Sequence, residues 1–322
     1  MKFSVIVPLY NKAEYIGKTL SSIFAQTCGD YEVIVVDDGS KDGSYDVASA
    51  AAQGHAQCRI VRQANAGVAA ARNRGVELAQ GEYVCFLDAD DWWEPTFLEE
   101  IERLITSYPD AGLYATGYYL VRNNKRRVAQ IGLEEGFQEG YINYCQTYAR
   151  RLCMPVTSSS VAMPRKVFLA SGGFRGGITL GEDFDLWIRI ALKHRVALLN
   201  CPLANYYQDI PSNRRATRRL HNPANHMLWN LDYLAEEEAG NAELKLLLDR
   251  LRASGLYRFY LSRQYHAEAL VQLEKIDWSH ISQSTYRLYH SPLWWQRFSF
   301  AVRTWAANIK STILKMKSRK RS

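Results

Sequence analysis

Asp88 and Asp90 stand two residues apart after an apolar stretch, so an extended chain projects both carboxylates to one face. Two hard oxygen ligands on one side suit Mg²⁺ or Mn²⁺, an ion usually completed by substrate phosphates. An acidic turn after a strand is the plain alternative. A calcium loop is excluded, because Trp93 takes the position of the glycine such a loop requires. In Asp37-Asp38-Gly39-Ser40, Asp38 could accept from a base N–H or from ribose hydroxyls, or the four residues could simply turn the chain. Asn65-Ala66-Gly67 leads into Ala69-Ala70-Ala71-Arg72-Asn73. There Gly67 lets backbone approach a ligand and Arg72 can reach a base or phosphate, although ordinary helix capping accounts for the same residues. Glu182-Asp183 is an acidic pair opening an otherwise apolar helix, where a structural N-terminal acid is the competing explanation. No GxxxxGK or GxGxxG is present, which removes the common ATPase and dinucleotide readings.

The elements that must position these residues follow from period. Phe3 to Leu9 is a near-continuous apolar run of strand length, and Ile16, Leu20, Ile23 and Phe24 then recur at helical spacing. Tyr31 to Val36, Cys58 to Val61 and Tyr83 to Leu87 repeat the buried-strand pattern, with an alanine-rich helix over Val68 to Leu78. Alternating buried strands and helices predict an α/β domain with a mostly parallel sheet covered on both faces. Ligands of such sheets bind beyond the carboxyl ends of the strands, which is where Tyr10-Asn11-Lys12, Asp37-Asp38 and Asp88 to Asp91 fall. Further on, Gly112 to Val121 reads as a strand and Asp183 to Lys193 as a helix. Beyond residue 222 the period is mainly helical, with stripes at Leu228, Leu231, Leu234 and at Leu244, Leu247, Leu248, Leu251.

Taken in order, Val5 to Asn11, Val35 to Ser40, Asn65-Ala66-Gly67, Ala71-Arg72-Asn73 and Phe86 to Asp91 closely resemble the family 2 glycosyltransferases of GT-A fold. The resemblance covers about residues 1–120 and continues at Gly181-Glu182-Asp183-Phe184-Asp185-Leu186-Trp187, which is similar to that family's ED motif. It implies that Pro8, Tyr10, Asp38, Gly67 and Arg72 hold the nucleotide, with Asp38 accepting from the uracil ring. It further implies that Asp88 faces the ribose and donor sugar, that Asp90 ligates Mg²⁺ or Mn²⁺ on the diphosphate, that Asp183 is the catalytic base, and that Glu182 shapes the acceptor side. One base opposite the leaving group gives a single displacement with inversion. The processive members' QxxRW motif and membrane-spanning helices are absent from the sequence, which favours single-sugar transfer.

The chain has 322 residues, enough for two domains, and its 47% hydrophobic and 23% charged residues are ordinary for a globular core. The net charge of +7 is concentrated: residues 292–322 carry eight basic residues and no acid, leaving a nearly neutral body. The expected division is a catalytic domain over 1–210, a helical extension over 211–291 and an amphipathic basic tail over 292–322. Trp294, Phe298, Ala301, Val302, Trp305, Ile309, Ile313 and Met316 form one face of that tail, with Lys and Arg around it. This is the pattern of a helix lying in an anionic membrane interface, and docking of the stripe on the catalytic domain is the alternative. The tryptophans at 92, 93 and 187 are expected to pack around the site, and Arg214, Arg215, Arg218 and Arg219 form either a solvated face or a phosphate contact.

No stretch approaches the ~18 apolar residues of a membrane span. The short apolar run Phe3 to Leu9 lacks the length and cleavage site of a secretory signal, so export is not expected. The six cysteines form no CxxC or disulfide ladder, so a cytoplasmic setting at the inner membrane face is expected. A nucleotide-sugar donor and a saccharide or lipid-linked acceptor are the expected partners. A nucleotidyltransferase is the second reading, but it calls for a glycine-rich basic loop that Pro8 to Lys12 does not supply. A nucleic-acid-binding protein is the third; its acidic strand ends would repel a phosphate backbone, so no nucleic-acid partner is expected.

Overall fold

A computed structural model describes residues 1–209 and 220–302. The chain divides into two compact units, Met1–Leu247 and Leu248–Ser322. The four arginines at 214, 215, 218 and 219, and the tail from 303 onward, lie outside the described residues.

The first unit begins with β1 (Phe3–Leu9), α1 (Ile16–Phe24), β2 (Tyr31–Asp37), α2 (Ser44–Ala51), β3 (Cys58–Arg62), α3 (Val68–Leu78) and β4 (Tyr83–Phe86). The four strands pair in parallel in the order β3-β2-β1-β4. Every residue of β1 and β2 is buried, as strands covered on both faces must be. Register brings Leu9 level with Asp37, and Asp37 level with Arg62. The polar residues that follow these strands therefore emerge along one edge.

Helix α3 lies against β1 and β2 with Ala69, Ala71, Gly75 and Val76 facing in. A Cβ on Gly75 would collide with the side chain of Ile6 in β1, so glycine here is what lets the helix approach the sheet. Arg72, one turn earlier, is thereby held at a fixed height above the strand ends. Helix α1 buries Ile16, Thr19, Leu20 and Ile23.

The sheet continues with elements that the sequence signals less clearly. These are β5 (Trp92–Trp93), α4 (Phe97–Ser107), β6 (Ala111–Arg122), β7 (Lys125–Val128), β8 (Glu139–Ile142), α5 (Tyr144–Arg151), β9 (Val161–Pro164), α6 (Arg165–Ala170), α7 (Glu182–Ala191) and β10 (Arg195–Tyr207). Strand β9 runs antiparallel between β4 and β6, whereas β10 runs parallel to β6 and carries β5 antiparallel on its far side. The result is a mixed, mostly parallel sheet flanked by helices.

Strand β10 escapes a reading by period because its pairing with β6 shifts register on both sides of Pro202. Leu228 and Leu234 sit in separate 3₁₀ turns, Met227–Trp229 and Asp232–Leu234, and not on one continuous helix; Leu231 lies between the turns. Leu244, Leu247, Leu248 and Leu251 do share one helix, over Ala242–Gly255, and all four are buried.

In the second unit, Leu256, Phe259, Leu261, Leu273 and Tyr289 form an apolar core. The buried Asp249 faces His280 Nδ1 at 2.8 Å and Arg252 at 3.7 Å. Among the described residues no helix is long and apolar enough to cross a membrane. All six cysteines are unpaired.

Candidate active site

The turn after β2 is built around one carboxylate. Asp38 Oδ1 accepts from Ala66 N and from Gln63 Nε2, and Oδ2 accepts from Gly67 N, each at 2.8 Å. Asn65 Nδ2 donates to the Asp38 carbonyl at 3.0 Å. Gly67 opens α3 with φ of +91°, a backbone setting suited to glycine. Asp38 thus fixes the loop that starts α3 and so fixes Arg72. A carboxylate offers roughly four lone-pair positions, of which these bonds use three, leaving one for a ligand.

Arg72 is 3% exposed and links the turn after β4 to the start of α7. Its Nη2 donates to Asp88 Oδ1 at 2.7 Å and its Nη1 to Glu182 Oε1 at 2.9 Å. The guanidinium lies over the Phe174 ring, 5.1 Å from the centroid. Burial alone would favour loss of its charge, but Asp88, Glu182 and Asp183 outweigh that and hold it firmly protonated. The geometry needs a planar fork with donors in two directions, which a lysine lacks.

Asp183 sits in the first turn of α7, behind Gly181 in a left-handed conformation. Its Oδ1 accepts from Phe184 N at 2.8 Å. Burial and the neighbouring Glu182 push its carboxyl up to about 7, against the opposing pull of Arg72 and of the Phe184 N–H. A carboxyl poised near neutrality is suited to taking a proton.

The turn after β4 holds three acids in distinct settings. Asp91 is buried, with Oδ2 accepting from Ser159 Oγ at 2.6 Å and Oδ1 from Tyr207 N at 2.8 Å. Burial, together with Asp90 and Asp88, raises its carboxyl well above the usual range. Its work is to tie the turn to β10 and to the 3₁₀ turn Ser158–Ser160. Asp88 faces Arg72 as described. Asp90 Oδ2 meets Lys12 Nζ at 2.5 Å. Burial and Asp88 raise the Asp90 carboxyl, and Lys12 opposes them.

A divalent ion fits this donor set under one condition. Asp90 already holds a cation, the Lys12 ammonium, so its Oδ2 is sited for one. Among the described residues, however, no group of three or more His, Cys, Asp or Glu could hold a metal alone. The remaining ligands would have to come from a diphosphate, as is usual for Mg²⁺.

Pro8 lies within β1 beside Val36 of β2, and Tyr10 projects at the strand end with 45% exposure. Hydrogen bonds thus join Asp38 to Gly67 and Arg72 to Asp88 and Glu182, with Asp183 next to Glu182 and Asp90 in the same turn as Asp88, while Pro8 and Tyr10 lie at the neighbouring end of β1. Trp93 and Trp187 are buried: Trp93 stacks on Phe97, and Trp187 packs against Phe86 and Phe174. Trp92 is half-buried under the Lys18 ammonium.

Two further residues have roles that the sequence alone does not reveal. Lys12 was visible only as part of a polar cluster, since its partner is 78 residues away. Asp185, fully buried, binds Arg189 one turn on, accepts from Tyr233 Oη at 2.9 Å and pairs with Arg175. The i,i+4 spacing to Arg189 was the available signal.

Known proteins resemble the chain in sequence and in fold. Residues 4–168 match the family model described as "Glycosyl transferase family 2". The chain is 44% identical over 100 residues to an uncharacterised glycosyltransferase of Escherichia coli, YibD, a match spanning 31% of this chain and 29% of that one. It is 30% identical over 222 residues to the amylovoran biosynthesis glycosyltransferase AmsB of Erwinia amylovora, spanning 64% of this chain and 70% of the relative. In fold it is similar to S. aureus TarS 1-349, solved with UDP-GlcNAc, with a TM-score of 0.72 at 18% identity over 93% of this chain and 89% of the other. The strand-end acids, the Arg72 bridge and the acidic pair opening α7 thus stand in a GT-A sheet, and the chain belongs to glycosyltransferase family 2.

Proposed function

We propose that the protein transfers one sugar from a nucleotide diphosphate sugar, a UDP-sugar, to a saccharide or lipid-linked acceptor, with inversion, in the building of a cell-surface polysaccharide. The observation that carries the reading is Asp183, with its carboxyl near 7, beside an Arg72 that ties Glu182 to Asp88. Pro8, Tyr10, Gly67 and Arg72 hold the nucleotide, and Asp38 contributes its one remaining acceptor position to the base. Asp88 faces the ribose and donor sugar. Mg²⁺ or Mn²⁺ on Asp90, completed by the diphosphate, neutralises charge that develops on the leaving nucleotide.

In the displacement an acceptor hydroxyl oxygen forms a bond to the anomeric carbon as the carbon–oxygen bond to the diphosphate breaks. Asp183 takes the hydroxyl proton. Glu182, held by Arg72, lines the acceptor side. The amylovoran relative and the UDP-GlcNAc complex of TarS support the polysaccharide and UDP parts of this reading.

The acceptor is taken at the inner face of the membrane. Trp294, Phe298 and Val302, which share a face of the expected tail helix, are 71%, 57% and 46% exposed. The basic residues that complete the tail lie outside the described residues, and the sequence places no acid among them.

The test is Asp183→Asn. Affinity for UDP-sugar stays within a few-fold of the parent while turnover falls by about 10²-fold or more, as loss of a general base requires. Near-normal turnover would assign the proton to another group.

A further inference from the structure

We propose that Lys12 is a resident counter-cation that keeps a divalent ion off Asp90 until a diphosphate arrives, so that metal uptake depends on donor. The inference rests on the metal reading given above.

Lys12 is held by its backbone on both sides. Its N–H donates to Ser44 Oγ at 2.7 Å, and its carbonyl accepts from Tyr15 N at 2.9 Å and Ile16 N at 3.0 Å, where α1 begins. The preceding Asn11 is in a left-handed conformation, with its N–H donating to Ser40 Oγ at 3.0 Å. The movable part is the side chain, whose ammonium reaches Asp90 Oδ2 and lies 5.8 Å from the Tyr15 ring centroid. The two side chains are 23% and 13% exposed, so the pair is sheltered without being sealed.

The neighbours leave few carboxylate oxygens beside Asp90: Asp88 has its Oδ1 taken and Asp91 has both oxygens taken. Asp88 is bound to Arg72, which is itself shared with Glu182. Asp91 is bound to Ser159 and the Tyr207 N–H. A free ion would therefore meet Asp90, which an ammonium on the same chain already occupies at high effective concentration, and at most the second oxygen of Asp88. An arriving diphosphate changes both sides of that competition. It supplies the oxygen ligands that the ion lacks, and it offers Lys12 another anion to face. The ammonium leaves one carboxylate oxygen for a phosphate oxygen, and no buried charge is left unpaired at either end. A compact ammonium on a flexible four-carbon stem can make that exchange, whereas a guanidinium fork is less suited to it.

Mn²⁺ binding read by electron paramagnetic resonance tests this on the full chain, with and without UDP, in the parent, Lys12→Met and Lys12→Arg, with melting curves to check folding. The parent takes up Mn²⁺ weakly alone and tightly with UDP. Lys12→Met binds Mn²⁺ alone about tenfold more tightly than the parent, the scale expected when a sheltered ion pair stops competing. Lys12→Arg, which keeps the charge, stays close to the parent. Equal Mn²⁺ affinity in the parent and Lys12→Met without UDP overturns the inference and leaves the metal reading standing. A parent that takes up no Mn²⁺ even with UDP overturns the metal reading and the inference with it.

Discussion

On the proposed reading Asp183 takes the acceptor proton, and its setting then determines a pH dependence. With its proton held up to about 7, only the ionised form can accept from an acceptor hydroxyl. Turnover should rise with pH through about 7 and level off above it, and Asp183→Asn should lose that limb of the profile. The same shift links to stability. An ordinary Asp ionises near 3.9, so between about 4 and 7 the folded chain holds a proton that the unfolded chain has lost. The folded state is progressively disfavoured as pH climbs across that window. Asp183→Asn, which removes the charge, should therefore melt higher than the parent at pH 8, and the gap should close towards pH 4. Parallel melting curves across that range check it, and an unchanged gap would place the shift elsewhere.

At this scale the sequence was informative about residue type and weaker about partners. Asp88 and Asp90 could be picked out by spacing and Asp183 by the motif resemblance and its place in an acidic pair, but that Asp38 spends its carboxylate on the Gln63–Gly67 loop could not. That contact depends on how two strand ends meet in space, which spacing does not encode.

Elements position these residues through close approach. Helix α3 sets Arg72, and Gly75 sets α3, because a methyl there would strike Ile6 inside a fully buried strand. Gly75→Ala should cost about 1–3 kcal/mol of stability, the usual range for overpacking. It should also weaken UDP binding by lifting Arg72; a denaturant titration paired with a UDP titration measures both, and an unchanged midpoint would show that the strand yields.

The strands β1 and β2 were legible because burial on both faces demands unbroken apolar runs. Strand β10 was not, since Pro202 and the flanking register shifts interrupt its pattern. The stripe at Leu228 and Leu234 mimicked a helix because 3₁₀ turns also repeat at three residues. In the tail, replacing Trp294 and Phe298 by Ser should reduce co-sedimentation with anionic vesicles at low salt without lowering the melting temperature, because both side chains face solvent. Unchanged sedimentation would remove these two side chains from any membrane contact, and a lower melting temperature would assign the stripe to the core.

Across the whole molecule, a nearly neutral body carries one acidic edge at its strand ends, and the surplus positive charge is gathered in the last 31 residues, 292–322. That separation was plain from sequence, as was the fold class, because both depend on composition and period and not on distant contacts. The central claim is that the acidic edge holds a nucleotide diphosphate through a metal on Asp90. Calorimetric titration of UDP with Mn²⁺ and then with chelator, on the parent and on Asp90→Asn, tests it most directly. The account predicts that chelator weakens UDP binding to the parent by about tenfold or more, while Asp90→Asn binds weakly and ignores the chelator. UDP binding to the parent that is equally tight with and without Mn²⁺ would contradict it.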